Sequence, residues 1–265
     1  MARITCNFYS YSVGYPIDIQ IILPSLSPCD GDVMPELTHK ITEKYPVIYF
    51  LHGHGNDYLC WSRFTSIERY VEERRIAAVF CSVGNKAYMN AEYGENWFDL
   101  VEKELPEFVE TNFPISDKKE DRYVAGLSMG GYGALKCGLL APDTFGAVAS
   151  LSGGVDAIDC AKDADSEGKN GTLWFDIFGP HDQIKGSDND LFAVAERLAA
   201  SGKDKPKVYM WCGTEDFLYG QNVRMRDHLN KLGYDLTYEE SPGDHQWKYW
   251  DEKIQTVLAW LPIKK

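Results

Sequence analysis

The sequence has no excess of positive charge. Its 27 lysine and arginine residues are outnumbered by 40 aspartate and glutamate residues, which gives the 265-residue chain a formal net charge of -13 at pH 7. Binding to nucleic acid or to an anionic membrane needs a concentrated basic surface that counters the phosphate charge. We therefore expect neither kind of partner, and the acidity mainly favours solubility.

The cysteines lack the spacing of a disulfide framework or of a structural zinc site. There are seven of them, an odd number, and no two form a C-x-x-C pair. Long apolar runs are also missing: the start of the chain, "MARITCNFYSYSVGYPIDIQIIL", has no basic-then-apolar signal pattern, and no later run approaches the length of a membrane span. These absences predict a soluble cytoplasmic protein.

No linker or internal repeat divides the chain, and its 44% of hydrophobic residues suffice for one large core, so we predict a single domain, 1–265. An opening antiparallel hairpin is expected from 4–12 and 17–23, on either side of a Gly-Tyr-Pro turn. Short apolar runs then alternate with helical periods. The predicted strands are 47–51, 77–82, 123–125, 147–151, 208–211 and 236–240, and the predicted helices are 64–74, 97–111, 132–140, 191–200, 223–232 and 246–260. This alternation indicates an α/β fold with a mostly parallel sheet.

The stretch "RYVAGLSMGGYGALK" changes from a strand pattern to a helical one around Ser128. A turn that sharp strains its central residue and leaves no room for a β-carbon two residues before or after it, which Gly126 and Gly130 satisfy. The five residues match the nucleophile elbow G-x-S-x-G. The pattern alone also arises by chance, but the strand before it and the helix after it favour an exposed nucleophilic serine.

A serine nucleophile needs a histidine as base, and in enzymes with this turn the chain order is Ser, then Asp or Glu, then His. Three histidines follow Ser128. His228 falls within a helical pattern, where a solvated face is expected, and His181 lies in the irregular segment 153–190, so it could line the site without being the base. His245 lies between the last predicted strand and the last helix, which makes it the candidate base.

Two adjacent carboxylates compete for the role of orienting that histidine. The strand "KVYMWCG" is followed by "TEDFLYG", and residues just past the carboxyl end of a strand point into a site at that edge. Asp216 is the preferred candidate because its side chain is the shorter one after the turn. Glu215 would serve chemically and stays open.

A carbonyl under attack develops negative charge on its oxygen, which backbone N–H donors must meet. Met129, the residue after the nucleophile, supplies one amide at a helix N-terminus, and the loop "LHGHGND" supplies another, for which His54 is the candidate. His52 and Gly53 then shape that loop. The two histidines have no third ligand at a matching spacing, so we expect no metal.

Segment 153–190 has no clean period and leaves the end of a predicted strand, so it is expected to cover the site, although a surface loop elsewhere is the alternative. Aromatic residues near the motifs could line an acyl or alcohol pocket, although each one alone would also serve as core or rim packing. These candidates for substrate binding are Trp61, Trp97, Trp174, Phe178, Phe217 and Trp247.

Four motifs in this order, "YFLHGHGND", "YVAGLSMGGYGALK", "WCGTEDFLY" and "GDHQWKYW", resemble the esterase D-like branch of the α/β-hydrolases. The likeness runs over 17–260. That branch includes tributyrin esterases, S-formylglutathione hydrolases, and the feruloyl and acetylxylan esterases of carbohydrate esterase family one. The resemblance implies an α/β-hydrolase fold with helices on both faces of the sheet and a cap-like insertion at 153–190.

The resemblance also implies the roles of five residues: Ser128 as nucleophile, Asp216 as acid, His245 as base, and His54 and Met129 as oxyanion donors. No cofactor is expected. S-formylglutathione hydrolases usually carry leucine where this chain has His54, which weakens the likeness to that group.

The predicted function is a serine carboxylesterase that acts on small-molecule esters with short-chain acyl or aromatic, feruloyl-type or acetyl-type groups. Three alternatives stay open: an S-formylglutathione hydrolase-like thioesterase, an acyltransferase to a sugar hydroxyl, and a binding protein without catalysis. The complete set of catalytic parts disfavours the last of these. Whether the chain forms a homo-oligomer also stays open.

Overall fold

The computed structural model describes residues 1–25, 43–91, 93–166, 178 and 181–263, with only the backbone described for 162–166 and 181–182. Its described strands form one eight-stranded sheet in the order β1-β2-β4-β3-β5-β6-β7-β8. The strands β1 to β8 span Ala2–Ser10, Tyr15–Leu23, Val47–Leu51, Ala77–Cys81, Arg122–Leu127, Ala147–Leu151, Lys207–Gly213 and Leu236–Ser241. The predicted opening hairpin and the mostly parallel sheet are both confirmed.

Strands β3 to β8 run parallel, whereas β2 pairs antiparallel with both β1 and β4. The carboxyl ends of β3, β5 and β7, at Leu51, Leu127 and Gly213, therefore lie along one edge of the sheet. The loops that leave these ends carry three of the four motifs of the sequence. This edge is where ligands bind in such sheets.

Helices cover both faces of the sheet. The described helices α1 to α10 span Cys60–Phe64, Ile67–Glu73, Trp97–Asp99, Leu105–Asn112, Met129–Leu140, Ala157–Ser166, His181–Ile184, Leu191–Ala200, Tyr219–Lys231 and Trp247–Trp260. One core packs α3, α4, α5, α8 and α9 against the sheet, and a second core on the opposite face packs α1, α2 and α10. Two buried layers hold the central strands from both sides, which explains their uninterrupted apolar sequences.

The predicted helix 97–111 contains a π-helical turn, Leu100–Glu104, between α3 and α4. This turn directs Glu104 at the connection between β1 and β2. Its carboxylate accepts hydrogen bonds from the Ser10 hydroxyl at 2.7 Å and from the amides of Tyr11 at 2.5 Å and Ser12 at 2.9 Å. The connection of the hairpin, at the same edge of the sheet as Leu127, is thereby fixed to the helix layer.

The described residues of segment 153–190 include the helices α6 and α7, although the sequence of the segment shows no clean period. Among the described side chains of α6, the buried ones are the small side chains of Ala157, Cys160 and Ala161, which give a weak hydrophobic signal. Trp174 falls outside the described residues. Its place in the fold, and the covering of the site by this segment, stay predictions.

Lys136 on α5 is a buried cation in the larger core, with 3% of its surface exposed. Its ammonium group donates to Asn189 Oδ1 at 2.8 Å and lies over the rings of Phe98 and Tyr132. Within the described chain, no carboxylate lies within salt-bridge distance of it. Burial lowers the pKa of Lys136 from its ordinary 10.5 to about 8.

Replacing Lys136 with methionine should raise the free energy of unfolding at pH 7 by about 1–3 kcal/mol, because the buried charge costs about 1.4 kcal/mol per pKa unit. Between pH 8 and 10.5 the unfolded chain binds the proton more tightly than the native one does, so wild-type stability rises with pH in this window. The free energy of unfolding of the variant should not show this rise between pH 8 and 10.5. Urea denaturation from pH 7 to 10.5 measures both effects, and a variant less stable than the wild type at pH 7 would contradict the expectation.

Candidate active site

Ser128 lies in the turn between β5 and α5 with φ 53° and ψ -119°, a conformation that costs a non-glycine residue about 1–3 kcal/mol. A β-carbon at Gly126 would lie 2.1 Å from the carbonyl oxygen of Gly130, and one at Gly130 would lie 2.3 Å from that of Leu51. Any residue with a β-carbon at either position would collide with these carbonyl oxygens. The steric requirement predicted for the two glycines is therefore confirmed.

His245 connects Ser128 to a buried carboxylate. Its Nε2 lies 2.9 Å from Ser128 Oγ, and its Nδ1 lies 2.8 Å from Asp216 Oδ2. Because a carboxylate only accepts, the ring proton sits on Nδ1, and Nε2 is left to accept the serine proton. Asp216 is 4% exposed, and its other oxygen accepts the Leu218 amide at 2.9 Å. The structure thus brings the three predicted residues into one hydrogen-bonded chain.

In the described structure, no hydrogen bond joins Glu215 to His245. Its carboxylate accepts the amide of Gly243, and its own amide donates to the Gly243 carbonyl at 3.0 Å. The hydrogen bond from Gly243 is the largest cause of the lowered pKa of Glu215. The residue therefore ties the loop after β7 to the loop that carries His245, whereas Asp216 makes the contact with the imidazole.

The other two histidines that follow Ser128 in the sequence are His228 and His181. His228, on α9, donates through Nε2 to the carbonyl of Phe192 at 3.0 Å, and its ring lies 5.1 Å from the Phe192 ring between centroids, at a tilt of 57°. It is partly buried between two helices, where a solvated face was expected. His181 begins α7.

Two backbone amides lie beside Ser128. Met129 begins α5, so its N–H belongs to the free amides at the N-terminus of that helix. A β-carbon at Gly53 would lie 3.3 Å from Ser128 Cβ, which places the peptide between Gly53 and His54 next to the nucleophile. No described group accepts a hydrogen bond from the Met129 or His54 amide. Both donors are therefore free for a ligand oxygen.

Groups of three or more residues able to hold a metal ion are absent from the described ranges. His52, one member of the histidine pair, is 1% exposed and uses both ring nitrogens within the protein. The chemistry that this geometry supports is nucleophilic attack by Ser128 on a carbonyl group.

A protein-family model described as "Putative esterase" matches residues 10–261. The chain belongs to this esterase family.

Similar proteins agree with this membership. The acetyl esterase of Caldicellulosiruptor saccharolyticus is 32% identical over 98% of this chain and 98% of that protein. The substrate-bound structure of FphF, a fluorophosphonate-binding serine hydrolase of Staphylococcus aureus, has a TM-score of 0.87, with 30% identity over 99% of each chain. The apoenzyme structure of the S-formylglutathione hydrolase FrmB, also from Staphylococcus aureus, has a TM-score of 0.82, with 30% identity over 98% of each chain. The esterase therefore has the α/β-hydrolase fold and is a serine hydrolase.

Aromatic rings flank the imidazole of this esterase. Phe217, 77% exposed, lies 4.7 Å from the His245 ring between centroids, and Trp250 lies 4.8 Å away on a nearly perpendicular plane. Trp250 was not among the candidates, although its spacing of three from Trp247 places both indoles on one side of α10. Its Nε1 donates to Ser152 Oγ at 3.1 Å, which holds the indole against the imidazole.

The remaining aromatic candidates are distributed between the cores and the site. Trp61 and Trp97 are 1% and 7% exposed and belong to the two cores on opposite faces of the sheet. Trp247 is partly buried and packs on Trp61 and on the partly exposed Phe64. Phe178 is 7% exposed and contacts the ring of Tyr132 edge to face. Among the described candidates, Phe217 is the exposed one, and its ring contacts the imidazole.

No helix in the described part of the esterase is long and apolar enough to cross a membrane.

Proposed function

We propose that this esterase is a serine carboxylesterase that hydrolyses short-chain acyl or aromatic esters through an acyl-enzyme on Ser128. The observation that carries the proposal is the continuous chain from Ser128 Oγ through the imidazole of His245 to Asp216, with bonds of 2.9 and 2.8 Å. Each atom in it has the donor or acceptor state that proton transfer away from the serine requires.

The reaction proceeds in two steps. Ser128 Oγ attacks the ester carbonyl carbon while its proton moves to His245 Nε2. The developing oxyanion accepts hydrogen bonds from the backbone amides of His54 and Met129. The bond between the carbonyl carbon and the alcohol oxygen then breaks, and the leaving alcohol takes the proton from His245. Water repeats the attack on the acyl-enzyme with His245 again as base, which releases the carboxylic acid and restores the serine. Asp216 holds the imidazole in the required tautomer and stabilises its positive charge.

The small-ester substrate class is supported by the relative named acetyl esterase and by the position of Phe217. An exposed ring 4.7 Å from the imidazole lies where the acyl or alcohol group of a bound ester would contact it. A thioesterase acting on S-formylglutathione is the second candidate, because the similar structure of FrmB is named as such a hydrolase. A cytoplasmic location stays a prediction, and whether the chain forms a homo-oligomer stays open.

A panel of p-nitrophenyl esters from acetyl to octanoyl, with methyl ferulate and S-formylglutathione, tests the substrate class. We expect the highest kcat/KM for acetyl to butyryl esters and at least about a 10-fold fall by octanoyl, because each methylene that a pocket cannot accept costs about 1–3 kcal/mol. A preference for S-formylglutathione would favour the second candidate. A fluorophosphonate probe should label Ser128, and a protein that neither takes the label nor turns over any ester would contradict the proposal.

A further inference from the structure

His52 is a buried polar side chain with both ring nitrogens paired, next to the loop that lies against the nucleophile. Its Nε2 lies 3.0 Å from the Val83 amide, and its Nδ1 lies 2.8 Å from the carbonyl oxygen of Gly53. An amide N–H can only donate, so Nε2 is the acceptor and the ring proton sits on Nδ1. The imidazole therefore donates to the Gly53 carbonyl.

That carbonyl belongs to the same peptide group as the amide of His54. The described chain contains no cis peptide bond, and in a trans peptide the carbonyl and the following N–H point in opposite directions within one plane. A hydrogen bond that fixes the Gly53 oxygen therefore also fixes the direction of the His54 N–H. The Asn56 amide, 3.2 Å from the same oxygen, is its other donor in the turn.

We propose that His52 is a positioning residue that orients the oxyanion-binding amide of His54 by holding the carbonyl of the same peptide group. The inference rests on the proposed esterase function, because it assigns a supporting group to that site. Burial keeps the ring neutral by lowering the pKa of His52, although the bond to Gly53 opposes this shift. The Val83 amide then selects the one neutral tautomer that can donate to Gly53, as other groups orient the histidines of metal and catalytic sites.

The arrangement links two loops of the catalytic edge. Val83 follows β4, whereas Gly53 and His54 follow β3, so the imidazole spans two adjacent strand ends. Tyr88 donates to the carbonyl of His52 at 2.8 Å and thereby holds the preceding peptide group of the same loop. This neighbouring bond provides a control, because it supports the loop without touching the peptide that carries the His54 amide.

Two substitutions separate the hydrogen bonds of His52. In His52→Asn, the side-chain amide nitrogen can occupy the place of Nδ1 and donate to Gly53, while the bond to Val83 is lost. In His52→Gln, the side-chain oxygen can occupy the place of Nε2 and accept from Val83, while the bond to Gly53 is lost. Tyr88→Phe removes a buried hydrogen bond of the loop and leaves both of these intact.

Steady-state kinetics on a p-nitrophenyl ester, together with inhibition by a trifluoromethyl ketone whose adduct oxygen occupies the oxyanion site, tests the inference. Loss of a whole oxyanion donor costs about 10²–10³-fold in kcat, so a misdirected one in His52→Gln should cost about 10–100-fold, with a similar loss of inhibitor affinity and KM within about 3-fold. His52→Asn and Tyr88→Phe should each stay within about 5-fold of the wild-type kcat. Equal losses of kcat in the Asn and Gln variants, or unchanged inhibitor affinity in the Gln variant, would overturn the positioning role. A wild-type protein that turns over no ester would instead refute the proposed function.

One measurement on the wild-type protein needs no variant and so does not depend on folding of the substitutions. Nitrogen-15 NMR of the histidine side chains should show His52 neutral, with its proton on Nδ1, at neutral pH. A neutral ring protonated on Nε2, or a charged ring, would overturn the inference even if every variant failed to fold.

Discussion

Ser128→Ala is expected to lower kcat by about 10⁴-fold or more, while the melting temperature stays close to that of the wild type. The side-chain oxygen makes its hydrogen bond with His245, so alanine removes the nucleophile and little packing. Alanine also keeps a β-carbon at φ 53°, so the backbone strain of the turn is the same in both proteins. Hydrolysis of p-nitrophenyl acetate and thermal denaturation measure the two effects.

Ser150→Ala is the matched control for this substitution. Ser150 lies on the neighbouring strand β6, and its buried Oγ has no hydrogen-bond partner in the described structure. Losing that hydroxyl should change kcat by less than about 3-fold, because no bond to the site is removed. Wild-type turnover by Ser128→Ala would show that the nucleophile is misassigned.

Asp216→Asn is expected to lower kcat by about 10³–10⁴-fold through the wrong tautomer of His245. The Leu218 amide donates to Asp216 Oδ1, so in the variant the side-chain oxygen should keep that place and the NH₂ group should face His245 Nδ1. Nδ1 would then have to accept, which moves the ring proton to Nε2 and leaves no base for the serine. The pH profile of kcat and the rate of fluorophosphonate labelling should both show this loss.

Glu215→Gln is the adjacent comparison and should cost less than about 3-fold, because a glutamine oxygen can still accept the Gly243 amide. The two substitutions differ by one position and make the same chemical change from carboxylate to amide. A larger loss of kcat at Glu215 than at Asp216 would reassign the acid.

The features of the site that depend on local backbone geometry could be predicted from the sequence. Glycines at 126 and 130 follow from the sharp turn at Ser128, and the position of His245 follows from the order of strands and helices. The apolar runs predicted the central strands because a strand buried on both faces excludes polar side chains. These features involve neighbours in the chain, whose spacing the sequence records directly.

The tertiary structure decided which of several chemically equal groups face the site. Asp216 and Glu215 both follow β7, yet in the folded chain the Asp216 carboxylate bonds to the imidazole of His245, whereas the Glu215 carboxylate bonds to the amide of Gly243. Trp61 and Phe217 are equally apolar, yet one is buried in a core and the other is exposed beside His245.

The same division applies to His52, which the sequence placed in the oxyanion loop without a hydrogen-bonding role. Its two partners, the Val83 amide and the Gly53 carbonyl, lie in the loops that follow two adjacent strands. Val83 is 31 residues away from His52 along the chain. Composition, periodicity and spacing therefore determined the fold class and the candidates for the nucleophile and its base. The choice among neighbouring carboxylates, the exposure of each aromatic ring and the tautomer of His52 depend on contacts between distant segments, which only the folded chain brings together.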